Sequence, residues 1–252
     1  VKINDQLVSD YKVLARSIEI PKKYFLVGKN KIEITYQAKY SHMGLGLHRF
    51  LDPLDKNVYL YTQFEPFDAN RLFPCFDQPD LKSQLALTVI APKNWQAIST
   101  TLPLKVLPLK NNNKWIFKTT PKISTYLYSL HAGPYKVFKS KFEKIPLRLF
   151  VRQSMAKYLR VAEWFKITKQ GLGFYEKYFD YPYPFEKYDQ IIVPEFTMGA
   201  MENVGAVTFS ESYLKRGIVT REERESLANV VLHEMAHMWF GDLVTMKWWD
   251  DL

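Results

Sequence analysis

The chain has 252 residues, 47% of them hydrophobic and 24% charged, the proportions of an ordinary globular protein with length enough for a core and one or two domains. No stretch approaches the roughly 18 consecutive apolar residues of a membrane span, and a single cysteine, Cys75, excludes an internal disulfide. The net charge of +9, from 35 basic and 26 acidic residues, is dispersed and accompanies no finger, helix-turn-helix or RNP pattern, so it reads as a solvated basic face, with no nucleic-acid partner expected.

The opening VKINDQLVSDYK has neither the charged region nor the apolar region of a secretory leader. With one cysteine, this reads as a cytoplasmic protein. The first residue is Val, so prior removal of a leader stays open. The first 150 residues read as short strands. In KIEITYQAKY, Ile32, Ile34, Tyr36, Ala38 and Tyr40 share one face and Glu33, Thr35, Gln37 and Lys39 the other, which predicts a half-buried strand. QLALTVIAP repeats the pattern with Leu85, Leu87 and Val89. KWIFKTT, TYLYSLHAG and PLRLFVR read as further strands, separated by turn signals at Asn111-Asn112-Asn113 and Gly133-Pro134. Such spacing predicts a sandwich or an open antiparallel sheet. Cys75, between Pro74 and Phe76, reads as a small buried hydrophobe.

Near residue 152 the period changes. Tyr158, Val161, Ala162, Phe165, Leu172 and Tyr175 predict a helix over 155–179, weakened by Gly171 and Gly173 and broken by YPYP. YDQIIVPEF and AVTFSESYL read as strands flanking MGAMENVG. A boundary near Val151 divides the chain into a β-rich unit, 1–151, and a second unit, 152–252, for an α+β fold. The last helix is the best defined. Thr220 and Glu223 form a capping box, and the pattern predicts a helix from Arg221 to about Phe240, ended by Gly241.

On that helix lies HEMAH. His233 and His237, four residues apart, share one face one turn apart, which suits two ligands on a tetrahedral zinc ion. Glu234, beside the first, is placed to take a proton from an attacking water. Glu202 stands in the glycine-bounded GAMEN stretch and Glu65 in QFEP. Either, taken alone, is a solvated loop acid.

Together, HEMAH, the following MWFGDLVTMKWWDDL and GAMEN about thirty residues before it resemble the gluzincin aminopeptidases of the aminopeptidase N family, nearest in character to its bacterial members. Gly46 to Ser83 resembles that family's N-terminal domain, so the resemblance covers most of the chain. It implies an antiparallel β-sandwich or saddle domain over 1–151, followed by the first part of a thermolysin-like catalytic domain. It implies removal of N-terminal residues from peptides with a free N-terminus, with one zinc ion. His233 and His237 match the family's zinc ligands and Glu234 its general base. Glu202 and Glu65 match carboxylates that grip the substrate's α-amine. Gly199 and Ala200 match backbone that lines the peptide; Met198 and Gln63 match the walls of the first side-chain pocket.

The resemblance places the third ligand, a glutamate, at about position 256, past Leu252, and an oxyanion-binding tyrosine further on. The chain is therefore expected to be a piece short at both ends, and inactive by itself. Asp242, Asp250 and Asp251 remain as conceivable substitutes; a metzincin spacing fails, because Gly241 stands fourth rather than third after His237. A non-catalytic relative serving as an interaction module would be expected to lose HExxH or GAMEN, and a related epoxide hydrolase would be expected to carry GGMEN. This sequence keeps HEMAH and GAMEN.

Overall fold

The computed structural model describes residues 1–251. Five two-residue strands occupy the first 33 residues: β1 (Lys2–Ile3), β2 (Gln6–Leu7), β3 (Lys12–Val13), β4 (Ile18–Glu19) and β5 (Ile32–Glu33). β1 pairs with β2 and β5, and β3 with β4. The strand expected across KIEITYQAKY shrinks to β5, and Tyr36 and Tyr40 are exposed. Alternation makes a strand only where a neighbouring edge accepts the backbone bonds, and β1 offers two positions here. Tyr36 instead donates its hydroxyl to the Leu72 carbonyl, 2.8 Å away.

Next come β6 (Gly46–Leu51), β7 (Val58–Gln63), β8 (Thr88–Pro92), β9 (Gln96–Ser99), β10 (Pro103–Pro108), β11 (Asn112–Phe117) and β12 (Leu130–Gly133). They form two antiparallel sheets, in the orders β6-β7-β12-β9 and β10-β11-β8. Leu85, Leu87 and Val89 are half-buried between exposed neighbours, as the alternation predicts, although the strand begins only at Thr88. Asn112 and Asn113 already belong to β11 rather than to a turn, because the Leu109 N–H closes on the Asn112 carbonyl and completes the reversal before them. TYLYSLHAG divides into a 3-10 turn, Thr125–Leu127, and β12.

The remaining elements are β13 (Lys136–Phe142), β14 (Ile145–Val151), α1 (Val161–Tyr178), β15 (Tyr188–Val193), β16 (Ala200–Met201), β17 (Ala206–Ser210) and α2 (Arg221–Ala236). Their sheet has the order β13-β14-β15-β17-β16 and takes strands from both sides of Val151. β14, β15 and β17 run parallel; β13 and β16 are antiparallel edges. All residues of β15 and β17 are buried, as strands covered on both faces must be. On one face Tyr188, Ile192, Val207 and Phe209 pack with Trp164 and Leu172 of α1 and Val231 and Met235 of α2. On the other, Ile191, Val193 and Ala206 pack with Tyr59 and Tyr61 of β7. The architecture is α+β: antiparallel sheets first, then a mixed sheet carrying helices.

The helix expected over 155–179 begins later, after a 3-10 turn at Gln153–Tyr158. Gly171 has a packing reason: a Cβ there would lie 2.6 Å from Leu232 Cδ2 and 2.8 Å from Met235 Sδ, both on α2. The capping box is present, with the Thr220 hydroxyl accepting from the Glu223 N–H and the Glu223 carboxylate accepting from the Thr220 N–H. α2 ends at Ala236 rather than near Phe240. At Gly241, φ +130°, the chain folds back, so that the Asp242 N–H bonds the His237 carbonyl and the Gly241 N–H bonds that of Val244. Beyond β14, Arg152 donates to Asp52, just past β6, and in a fork to Glu211, just past β17.

Candidate active site

α2 and the residue that caps its end, His237, position three of the sequence-selected residues. His233 and His237 bring their Nε2 atoms to 3.2 Å of each other. Two nitrogens about 2.0–2.1 Å from one tetrahedral zinc ion lie about 3.3 Å apart. His237 Nδ1 is 3.0 Å from the Phe240 carbonyl, which can only accept, so Nδ1 carries the proton and Nε2 keeps its lone pair in the neutral ring. The turn supplying that carbonyl depends on Gly241, where a Cβ would stand 2.9 Å from His237 Nδ1. The imidazole pair therefore fits an ion, with the second nitrogen of His237 already committed. Glu234 points inward and is buried. Its burial, with the charges of Glu202 and Glu65, pushes its carboxyl up to about 8.

The GAMEN stretch bridges β15 and β17. Gly199 adopts φ +79°, and its carbonyl accepts from the Ser210 N–H. Ala200 and Met201 pair with Phe209 and Thr208 as β16, and Glu202 follows, buried. Asn203 then donates its side-chain amide to the Thr208 hydroxyl, 3.0 Å away. Gly205, φ +63°, brings its Cα so close to the first block that a Cβ would stand 2.8 Å from the Thr100 carbonyl oxygen. The buried Lys187 ammonium donates to the Gly205 carbonyl and to Asp189.

Glu65 arrives from the opposite side, two residues past β7. Gln63, the last residue of β7, is buried with Nε2 3.7 Å from Met201 Sδ, so the end of β7 lies against β16. Burial and then Glu202 raise the Glu65 carboxyl, while His237 opposes. Burial raises Glu202 against its own backbone N–H. Glu65, Glu202 and Glu234 thus share one field, and among the described residues none has a salt-bridge partner. Glu202 and Glu234 are buried and Glu65 half-buried; carboxylates taken out of water without a cation are costly, and a bound cation relieves that cost. Met198 stands exposed and Gly199 and Ala200 half-buried on the turn leading to this cluster.

Asp242 does not complete a metal set. It is buried, both carboxylate oxygens are without a hydrogen-bond partner among the described residues, and burial with Glu202 and Glu234 nearby drives its carboxyl well up. Asp250 and Asp251 lie exposed in a 3-10 turn, Trp249–Asp251. Among the described residues, no three His, Cys, Asp or Glu are grouped to hold a metal. Cys75 is half-buried, its thiol pushed up to about 12 by burial and by Asp77. Two tyrosines escaped the sequence reading. Tyr126 is buried where Glu202, Asp242 and Glu65 are felt, and Tyr213 lies near Glu234, its hydroxyl 3.7 Å from where a Gly199 Cβ would be. Both sit in 3-10 turns, where no periodicity announces them.

A family model described as the Peptidase M1 N-terminal domain matches residues 3–127, and one described as the Peptidase family M1 domain matches residues 164–252. An aminopeptidase N of Streptomyces lividans is 48% identical over 90% of this chain and 26% of its own length. The tricorn protease-interacting factor F2 of Thermoplasma acidophilum is 39% identical over 89% of this chain and 28% of its own. An aminopeptidase N of Oryctolagus cuniculus is 34% identical over 88% of this chain and 24% of its own. The chain thus spans about a quarter of the length of the curated relatives it matches. Among the described residues, no helix is long and apolar enough to cross a membrane.

Proposed function

The chain belongs to peptidase family M1, and from that membership we propose that the protein carrying it is a zinc-dependent aminopeptidase, which removes N-terminal residues from peptides by attack of water on the first peptide bond. The observation that carries the reading is the convergence of the two Nε2 atoms, 3.2 Å apart, beside three carboxylates that have no cation among the described residues. His233 and His237 would hold the zinc, which when bound supplies a Lewis acid for the scissile carbonyl and for water.

The residues of the chain then divide the work. Glu65 and Glu202 bind the substrate ammonium through charge-assisted hydrogen bonds and fix the chain end, so that the first peptide bond is presented. An internal segment brings no ammonium and leaves both acids unpaired, which excludes endoproteolysis. A bound ammonium also favours the ionised form of Glu234. Glu234 then accepts a proton from water at its carboxylate and returns it to the leaving amine. Backbone at Gly199 and Ala200 lines the peptide, and Gln63 and Met198 wall the first side-chain pocket. In this division the unit 1–151 contributes Gln63 and Glu65 and the unit 152–252 the rest. The single cysteine supports a cytoplasmic location.

The whole protein is expected to hydrolyse leucine 4-nitroanilide and to leave its N-acetyl derivative intact. Glu234→Gln lowers kcat by about 10²- to 10⁴-fold. Equal cleavage of the acetylated substrate would sink the reading. Residues 1–252 alone supply two ligands, so elemental mass spectrometry on that polypeptide should find zinc well below one per chain, with no turnover. One zinc per chain would mean that another side chain completes the set.

A further inference from the structure

We propose that Thr208 and His131 are positioning residues for Glu202; the inference rests on the reading of Glu202 as a grip on the substrate ammonium. Among the described residues, the Glu202 carboxylate takes no hydrogen bond or ion pair from another side chain. Its aim is therefore set by the backbone on either side. Both sides are held by one residue. Met201 pairs with Thr208 across the ladder, and Asn203 Nδ2 donates to Thr208 Oγ1 at 3.0 Å.

Thr208 is fixed in turn from the neighbouring layer. Its Oγ1 lies 2.9 Å from His131 Nε2, on β12. With the Asn203 amide donated to it, the hydroxyl has one hydrogen to give, and His131 Nε2 is placed to accept it. That direction needs a neutral imidazole, which burial and the Lys187 ammonium maintain. Asn203, Thr208 and His131 are each 1% exposed or less, so water does not compete for these bonds. The arrangement is costly, because among the described residues it leaves His131 Nδ1 and Asn203 Oδ1 without partners. Apolar residues would fill the same space without that cost. The polar chain instead fixes a geometry, and the geometry is that of the two residues flanking Glu202.

The test is calorimetric titration of the whole protein, every variant carried in a Glu234→Gln background so that the amide is not turned over, with leucinamide and with N-acetyl-leucinamide. The background protein binds the first and not the second. Thr208→Val lowers leucinamide affinity about tenfold or more, the scale expected when a binding group is misplaced by a fraction of an ångström. Thr208→Ser, which keeps the hydroxyl, restores it to within about twofold. His131→Leu weakens binding, whereas His131→Gln, with a polar atom near the Nε2 position, retains it. The His131 pair leaves the Asn203–Thr208 bond in place, so it stays informative even where Thr208→Val does not fold. Background affinity in Thr208→Val or His131→Leu overturns the positioning role and leaves the amine-binding reading intact. Failure of the background protein to distinguish leucinamide from its acetylated form overturns that reading, and the positioning role with it.

Discussion

At the scale of residues, the site depends on groups whose surroundings are narrower than their chemistry. Gly241 is one. A Cβ at φ +130°, 2.9 Å from His237 Nδ1, must push the ring off its bond to Phe240. Gly241→Ala is expected to cost about 1–3 kcal/mol in urea unfolding, and NMR should show a shifted His237 ring. His131 gives a pH signature. Its imidazole is held down to about 3 by burial and by Lys187, against the opposing charge of Asp189, while the unfolded chain takes up that proton below about 6.5. The unfolded state therefore binds more protons between those values, and this contribution to stability is whole above 6.5 and lost as pH falls. The loss is at most about 1.4 kcal/mol per pH unit. The raised carboxyls of Glu202, Glu211 and Asp242 act with the opposite sign, so the readout is the difference between wild type and His131→Gln. The variant should lose stability less steeply from pH 6.5 to 4.5. HEMAH was legible because its chemistry lies within one helical turn. The grouping of Glu65 with Glu202 was legible only through the family resemblance, since nothing local marks either as more than a loop acid.

At the scale of elements, the two glycines of α1 differ in kind. Gly171 is where α2 touches α1, and Gly171→Val is expected to destabilise by about 1–3 kcal/mol through overpacking. At Gly173 a Cβ would sit an ordinary 3.5 Å from Phe142 Cζ. Gly173→Ala should therefore raise stability by up to about 1 kcal/mol, from helix propensity alone. Thermal melts of the two variants moving in opposite directions would confirm the distinction. The sequence marks both positions simply as weak points in a helix, because the contact that separates them comes from residues some sixty positions later. The same limit explains the strands. YDQIIVPEF and AVTFSESYL do hold strands, but these stop at Val193 and Ser210, the second giving way to a 3-10 turn at Glu211–Tyr213, whereas KIEITYQAKY alternates well and still finds almost no edge to join. Capping is local and was legible to the residue at Thr220; the early end of α2 was not, because it is enforced by bonds made after Gly241.

At the scale of the whole molecule, the mixed sheet is the common floor of the site. Its parallel strands are pinned near their C-terminal ends by Arg152, which gathers Asp52 and Glu211 and so ties β6, β14 and β17 together. GAMEN hangs from β15 and β17, and α2 packs on the face opposite β7. β15, buried along its whole length, sets a clock for this assembly. Amides of a strand covered on both faces exchange with solvent only when the whole sheet opens. In deuterated buffer, Tyr188–Val193 should therefore be the last segment to gain mass, at a rate that reports global unfolding. Residues 1–33, with their two-residue strands, should gain it among the first. On the proposed reading, peptides come and go many times over a floor that does not open once.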